Sequence, residues 1–352
     1  MVIGMKYLVC GAGIGGCYIT SLLRNNGYEV DIIDIRNTPD CRCAWGTSNT
    51  KRFKYLLKKA GYNLDEYILS KIKSIVTNIG SFRAINLATF DKLKLLKDMW
   101  NDLKVVNIKE PEINKYDLVI DATGSARAYL PPLQNDLLIP TIQIKCSCNL
   151  DTDKIYVYLS DDLTGYAWAF PIGDYWHIGA GRMDGSTTEL IKNLIDFFDV
   201  KIKKIYCKCK GYIRHLPPSK CKPFYVITEN GNEIVGIGEA IGCVSAVGEG
   251  NLQALESAKI LLECIKANKL YEYENRITDF FKTLELEYRL VENKLNGNKI
   301  SLAKTAGIIM FERFKKFDVH PLSLYNIVKA AITSRRIGTK KEKEIEEKSE
   351  VK

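Results

Sequence analysis

The opening stretch restricts what this chain can fold into more than any other. KYLVC (residues 6–10) is a short apolar run of strand character that leads without a break into GAGIGG. Gly11, Gly13 and Gly16 fill the three glycine places of G-x-G-x-x-G, a helix-like run starts near Ile14, and EVDIID closes on Asp34. Strand, glycine turn, helix and a second strand ending in an acid are the parts of a dinucleotide-binding βαβ unit. The first glycine permits the tight turn. The second lets the backbone approach a pyrophosphate, and the third lets helix and strand pack closely. The free N–H groups and positive dipole end of the helix favour phosphate. Asp34 suits the 2′-hydroxyl of an unphosphorylated adenosine ribose.

The order of the following elements extends a doubly wound α/β domain. Helical patterns are expected over residues 51–60 and 65–73, then a strand at RAINLATF (83–90). Asp91 is placed to cap a helix carrying Leu93, Leu95, Leu96 and Trp100 largely on one side. KVVNI (104–108) and YDLVIDATG (116–124) read as strands. From residue 141 to 182 four strand-like runs alternate with turn signals, which predicts an inserted antiparallel sheet. A helix near 187–198 and strands to 213 follow. The chain then returns through a strand, a glycine-rich turn and the amphipathic helix of GEGNLQALESAKILLECI (248–265). Helices are expected over 270–295, 300–314 and 321–332. The Lys/Glu tail from 338 has almost no apolar residues to pack. The predicted division is a discontinuous nucleotide domain (1–135 and 222–266), a β-sheet substrate domain (136–221), a helical region (267–336) and a charged tail (337–352).

The formal charge of +9 is spread along the chain and, with no nucleic-acid motif present, reads as a solvated lysine-rich surface rather than a nucleic-acid footprint. No apolar run is long enough to span a bilayer. The residues of MVIGMKYLVC are read as the first strand, not a signal peptide, so a cytoplasmic location is expected. The richness in Lys, Ile and Tyr would suit a thermophile. Among eleven cysteines, three pairs are spaced C-x-C: Cys41 with Cys43, Cys146 with Cys148, and Cys207 with Cys209. The C-x-x-C spacing of structural zinc sites is missing, and no His/Cys/Asp cluster argues for a metal. The last two pairs lie in strand-like runs and read as small buried apolar residues; disulfides stay open if the host is a hyperthermophile.

Three glycine-bearing motifs are present: GAGIGG, DATG (121–124) and GIGEAIGCVSAVGEG (236–250). Together they resemble the FAD-dependent oxidoreductases of the aromatic-hydroxylase type. Arg42-Cys43-Ala44-Trp45-Gly46 looks like the R-C-G-x-G segment of the geranylgeranyl reductase family. Tyr166-x-Trp168-x-Phe170-Pro171 matches that family's Y-x-W-x-F-P motif, with Gly179 following after a strand. The resemblance covers roughly the first three-quarters of the chain. It implies an α/β fold: a Rossmann-like FAD-binding domain of GR2 type, an inserted antiparallel β-sheet substrate domain and a C-terminal helical region. It implies FAD held at its ADP half by Gly11, Gly13, Ile14, Gly16 and Asp34, with Arg36 and Arg42 near the phosphates or ribityl chain and Cys43 facing the isoalloxazine. Ala122, Thr123, Gly124 and Gly238 join the cofactor contacts. Glu239 stands where the family has an Asp toward the ribityl chain or pyrophosphate. Gly248, Glu249, Gly250 and Asn251 approach the pyrimidine edge, where the next helix's N-terminus would stabilise negative charge. Ala44 and Trp45 beside Cys43, and Ile241, Cys243 and Val244 after Glu239, depart from the pattern, and the chain is short for the family.

The activity so implied is saturation of isolated C=C bonds in prenyl chains, largely by orientation in a dry apolar tunnel. Tyr166, Trp168 and Phe170 alternate along one strand and share a face. With Trp45 and Pro171 they are the candidate substrate wall; the alternative is core aromatics beneath a sheet. Cys43, Tyr166 and Trp168 are the catalytic candidates, Cys43 being either a proton donor or flavin neighbour or a packed, inert thiol. His177 reads as a hydrogen-bonded sheet residue, and His215, before Pro217 and Pro218, as a weaker candidate for the substrate mouth. Glu249 serves the flavin edge or caps the helix. With one dinucleotide fold, NAD(P)H and a ferredoxin or other carrier are equally compatible electron donors. Three other functions stay open: a flavin monooxygenase or hydroxylase of an apolar substrate, a cyclase-like non-redox flavoprotein, and a non-catalytic nucleotide- or lipid-binding homologue. Lys315, Lys316, Arg335 and Arg336 lie near apolar helical faces, so membrane contact is expected to be peripheral at most. Nothing in the sequence reads out the oligomeric state.

Overall fold

Fourteen strands divide between two sheets in the described residues of the computed structural model, which are 5–40, 46–48, 51–162 and 164–295. In chain order the strands are β1 (Lys6–Cys10), β2 (Glu29–Asp34), β3 (Gly46–Ser48), β4 (Ile68–Thr77), β5 (Gly80–Phe90), β6 (Val106–Asn107) and β7 (Leu118–Asp121). They continue as β8 (Leu138–Ser147), β9 (Lys154–Leu159), β10 (Gly165–Ile172), β11 (Tyr175–Arg182), β12 (Lys204–Arg214), β13 (Tyr225–Ile227) and β14 (Glu233–Gly236). The helices are α1 (Ile14–Asn25), α2 (Lys51–Lys59), α3 (Lys92–Leu103), α4 (Thr187–Phe197), α5 (Asn251–Ala267), α6 (Tyr273–Phe280) and α7 (Lys282–Leu295).

The first sheet runs β13-β14-β7-β1-β2-β6. β1 pairs in parallel with β2 and β7, and β14 in parallel with β7. Strands covered on both faces read as continuous apolar runs, and every residue of β7 is buried. The carboxyl ends of β1, β2, β7 and β14 therefore lie side by side. Asp34, the DATG turn and the loop from Gly236 follow directly from those ends, the usual place for a ligand in such sheets. α1 is buried from Ile14 to Leu23 and packs against α5. Gly15 makes that approach close, because a Cβ there would lie 3.2 Å from the Ala254 methyl. Asp91 caps α3 as expected, accepting from the Lys94 N–H at 2.9 Å, and α3 buries Leu95, Leu96, Met99, Trp100 and Leu103.

The second sheet runs β12-β8-β11-β10-β9-β4-β5-β3. It departs from the sequence reading in two ways. The sheet is mixed rather than purely antiparallel, since β4 pairs in parallel with β9. It also takes three strands from residues 46–90 in addition to those between 136 and 221, so the earlier segment does not belong to the first sheet alone. The helix expected over 65–73 is a single 3-10 turn, Leu64–Tyr67, followed by β4. Ser70 to Lys73 alternate buried and exposed, and Ile72, Ile75, Val76 and Thr77 are β-branched, so the strand period prevails over the apolar spacing. α4 covers one face of this sheet, with Leu190 and Leu194 against Ala167, Ala169, Trp176 and Ile178. The opposite face of β10 looks across to the first sheet.

Several expectations fall outside the described residues: Cys41, Arg42, Cys43, Ala44 and Trp45, the helices over 300–314 and 321–332, Lys315, Lys316, Arg335, Arg336 and the charged tail. No described helix is long and apolar enough to cross a membrane.

Candidate functional site

One cavity of about 1500 Å³ joins the two sheets, and its walls run from the first glycine turn to the aromatic face of β10. At one end Gly11, Gly13, Ile14 and Gly16 line it beside Asp34 and Arg36. In the middle are Ala122, Thr123, Gly124, Gly238 and Glu239, with Gly248, Gly250 and Asn251 next to them. Tyr166, Trp168 and Phe170 are at the far end.

The nucleotide end is built by packing constraints. Gly11 takes φ +98°, and a Cβ there would stand 2.6 Å from the Ala122 carbonyl oxygen. A Cβ on Gly16 would fall 1.9 Å from the Gly11 carbonyl oxygen, so helix and strand meet only because the side chain is missing. Gly13 differs: nothing lies within 4 Å of its added Cβ. That open space sits in front of α1, whose N-cap is Gly13, without a side-chain cap and without an acid in its first turn. α5 also starts on the cavity with a glycine N-cap, Gly250, no side-chain cap and no first-turn acid. Two helix N-termini with no capping side chain thus face the same space. Each carries orphan N–H donors and roughly half a positive charge.

Asp34 is 4% exposed and already engaged by its own chain. It accepts the Ala12 N–H at 2.8 Å and the Arg36 N–H at 2.9 Å, and Arg36 grips it with Nε and Nη2, both at 2.8 Å. Burial alone would raise its carboxyl, but these donors outweigh it and hold the group below the usual carboxylate range. Arg36, expected near the phosphates or ribityl chain, forks onto Asp34 and lies over Trp100, 5.8 Å from the ring centroid. It still borders the cavity.

At the far end the alternation of β10 holds. Tyr166, Trp168 and Phe170 face the cavity, with ring centroids 5.6 Å and 6.5 Å apart, while Ala167 and Ala169 face α4. Pro171, expected in the substrate wall, falls on the α4 face of the alternation, is buried and does not line the cavity. Its carbonyl accepts from Thr89 Oγ1 at 2.5 Å. Gly179 lies opposite Trp168, and a Cβ there would come within 2.6 Å of the indole. The glycine therefore makes room for the ring. The indole Nε1 donates to Gln143 Oε1 at 3.1 Å, and Gln143 Nε2 lies 3.1 Å from His177 Nδ1. Burial, then Lys145, lowers His177 to about 3, so its ring is neutral and accepts from the amide. His177 is thus the hydrogen-bonded sheet residue expected, set behind Trp168. His215 packs edge-on against Tyr288 at 4.9 Å and does not line the cavity. The Tyr166 hydroxyl donates to the Val247 carbonyl at 2.6 Å and lies 3.4 Å from where a Cβ on Gly248 would be. Burial pushes this phenol up to about 12.

Glu239 is half-buried at the join and lines the cavity. Burial raises its carboxyl, opposed by the Arg214 N–H, which donates to Oε1 at 2.8 Å. Glu249 borders the cavity, and its N–H donates to Ser245 Oγ at 2.9 Å. The cysteines of the two strand pairs, expected to be small buried apolar residues, are mostly not buried. Only Cys146 of the four is buried; Cys148, Cys207 and Cys209 are half-buried, and Cys209 lines the cavity beside Gln143. Sequence reasoning missed Arg214, which is 1% exposed. Its guanidinium forks onto Asp136 at 2.8 Å and donates to the carbonyls of Ser125 and Glu239, so it ties the DATG turn, the crossover and the last glycine loop together. A lone arginine between apolar residues and a proline pair carries no periodic signal that would have singled it out.

The site fits a dinucleotide bearing a further ring system. Phosphates suit the open space before α1, an electron-rich ring suits the start of α5, and an apolar chain suits the aromatic wall. Among the described residues no group of three or more His, Cys, Asp or Glu side chains is arranged to hold a metal ion.

Comparison with known proteins agrees with this layout. Residues 9–58 match the NAD(P)-binding Rossmann-like domain family. The chain is 27% identical over 203 residues to a digeranylgeranylglycerophospholipid reductase of Methanococcus aeolicus, a match covering 51% of this chain and 49% of that protein. Klebsiella pneumoniae HpxO, solved as a variant in complex with FAD, superposes with a TM-score of 0.58 at 13% identity, covering 94% of this chain and 98% of that one. A geranylgeranyl bacteriochlorophyll reductase-like protein of Thermoplasma acidophilum has the same fold, with a TM-score of 0.65 at 20% identity over 93% of this chain and 96% of that one.

Proposed function

We propose that the chain is an FAD-dependent reductase that saturates C=C bonds of prenyl chains on a lipid. The observation that carries this reading is the single cavity, which joins two helix N-termini without capping side chains to a wall of three aromatic rings with no charged side chain on that stretch of β10. The M. aeolicus and T. acidophilum proteins support it by resemblance, as does the Y-x-W-x-F-P motif.

Gly13 and the first turn of α1 would receive the pyrophosphate, and Asp34 the adenosine ribose. Gly248, Gly250 and the start of α5 would hold the ring's electron-rich edge. Bound FAD, when reduced, supplies hydride to an alkene carbon. The rest falls to this chain's own side chains. Trp168, fixed by Gln143 and by the space at Gly179, gives a rigid flat surface against which an extended apolar chain lies. Phe170, Ile75 and Leu87 continue that surface and exclude water. Tyr166 keeps its proton throughout the neutral range and holds it at Oη, at the junction of the glycine loop and the aromatic wall. From there it can protonate the second alkene carbon. Orientation in a dry site accounts for most of the acceleration asked of the protein.

The test is anaerobic. FAD-loaded protein, chemically reduced, is incubated with a geranylgeranyl lipid and the product is weighed by mass spectrometry. The proposal predicts a gain of two hydrogens for each bond saturated. Product formed only when oxygen is admitted, heavier by oxygen, would replace the reductase with a hydroxylase.

A further inference from the structure

The second sheet ends in an exposed strand whose composition the reaction does not use. Between Asp199 and Glu229 the chain has eight Lys and Arg residues and no Asp or Glu. One of them, Arg214, is spent internally on Asp136. Lys203, Lys204, Lys208 and Lys210 are exposed and form no carboxylate pair among the described residues. They lie in or beside β12, the edge strand of its sheet. Large apolar side chains are exposed among them: Tyr212 at 61%, Tyr206 at 45% and Ile205 at 44%. Tyr206 meets Tyr175 edge-on at 4.9 Å, and the Lys204 and Lys145 ammonium groups lie over these two rings.

Lysines on an edge strand have an ordinary use, since they deter pairing with another chain. That use does not account for Ile205, Tyr206 and Tyr212 standing in solvent beside them. Tyrosines with lysines above their rings, next to an exposed aliphatic residue, are the composition of a lipid–water boundary, where rings enter the headgroup layer and lysines reach anionic groups. Position adds a second argument. Lys210 and Tyr212 are exposed and also line the cavity, so the cavity opens along this strand.

We infer that β12 is a docking edge for an anionic lipid bilayer, which brings the cavity opening against the membrane surface. The inference goes beyond the proposed reaction and needs none of its chemistry. A bilayer without any prenyl lipid tests it alone.

The experiment is co-sedimentation of the full chain with vesicles of phosphatidylcholine containing about 30% phosphatidylglycerol, against pure phosphatidylcholine. Retention on the anionic vesicles, lost in high salt, is expected, because screening at molar salt cuts the reach of surface charge to about 3 Å. The triple change Lys203→Gln, Lys204→Gln and Lys208→Gln, which touches no cavity residue, should weaken retention roughly a hundredfold. Ile205→Ser with Tyr206→Ser should weaken it several-fold, with an unchanged far-ultraviolet circular dichroism spectrum in both variants. Equal retention by neutral vesicles, or native-like retention by the triple variant, would overturn the inference. So would binding to heparin that depends on these lysines together with no vesicle binding, which would assign the strand to a soluble polyanion. A concentration-dependent change in oligomeric state in the serine variant, again without vesicle binding, would assign it to a second copy of the chain and overturn the inference equally.

Discussion

Single atoms separate the roles of the glycines in the first turn. Gly16 has a backbone oxygen where its Cβ would go, whereas Gly13 has open space and extended backbone at φ −72°. Gly16→Ala is therefore expected to destabilise the fold by about 3 kcal/mol or more. Gly13→Ala should change stability by no more than about 1 kcal/mol yet weaken FAD retention at least tenfold, since its methyl enters the space before α1. Urea unfolding and flavin titration on the two variants check this together. At Tyr166, change to Phe removes the proton but keeps the ring. Turnover should fall by roughly a hundredfold with FAD binding retained. His177 sets an acid sensitivity. Its folded value of about 3 lies below the unfolded 6.5, so the unfolded chain takes up the proton first. Its contribution to stability is whole above pH 6.5 and is lost on acidification toward pH 3, about 3 kcal/mol of it by pH 4. Unfolding free energies across that range should fall steeply in the native chain and less so in His177→Gln. At this scale the sequence was informative where chemistry repeats a motif. The three glycines, Asp34 and the aromatic triplet all border one cavity. It was silent on Arg214 and Gln143, whose importance comes from what folding places around them.

Elements were legible where local pattern and cap agreed. α3 has its Asp91 cap and a one-sided apolar stripe, and α1 follows a glycine turn; both are where the sequence placed them. The helical pattern over 65–73 gives way to β4 because Ile68 and Ile72, four apart, satisfy helical spacing as well as strand alternation, and the parallel partner β9 lies about eighty residues away, beyond any local signal. Pro171 shows the cost of extending a motif past its period. Three alternate residues of β10 face the cavity, and the next residue along must face α4. The same register makes Gly179 a test of the element pair β10–β11. Gly179→Ala would set a methyl 2.6 Å from both the Trp168 ring and the Ile142 carbonyl oxygen. A loss of about 1–3 kcal/mol in urea unfolding is expected, with a shift in tryptophan fluorescence as the indole is displaced.

For the whole molecule, the join between the sheets matters most. Arg214 holds it, with its guanidinium on Asp136 and on carbonyls from two glycine loops. Arg214→Ala leaves Asp136 without its partner and those carbonyls without donors, at a cost of about 3–5 kcal/mol. Thermal unfolding should show the loss. The account stands on both halves of the cavity acting as one site, the first gripping FAD and the second an apolar chain. The direct measurement is the absorbance spectrum of the FAD-loaded chain titrated with a geranylgeranyl lipid, beside the same titration of Trp168→Ala. The account predicts FAD uptake by both proteins, a saturable change in the flavin bands of the native chain, and a much weaker one in the variant. A chain that takes up no FAD, or flavin bands that do not respond to the lipid, would contradict it.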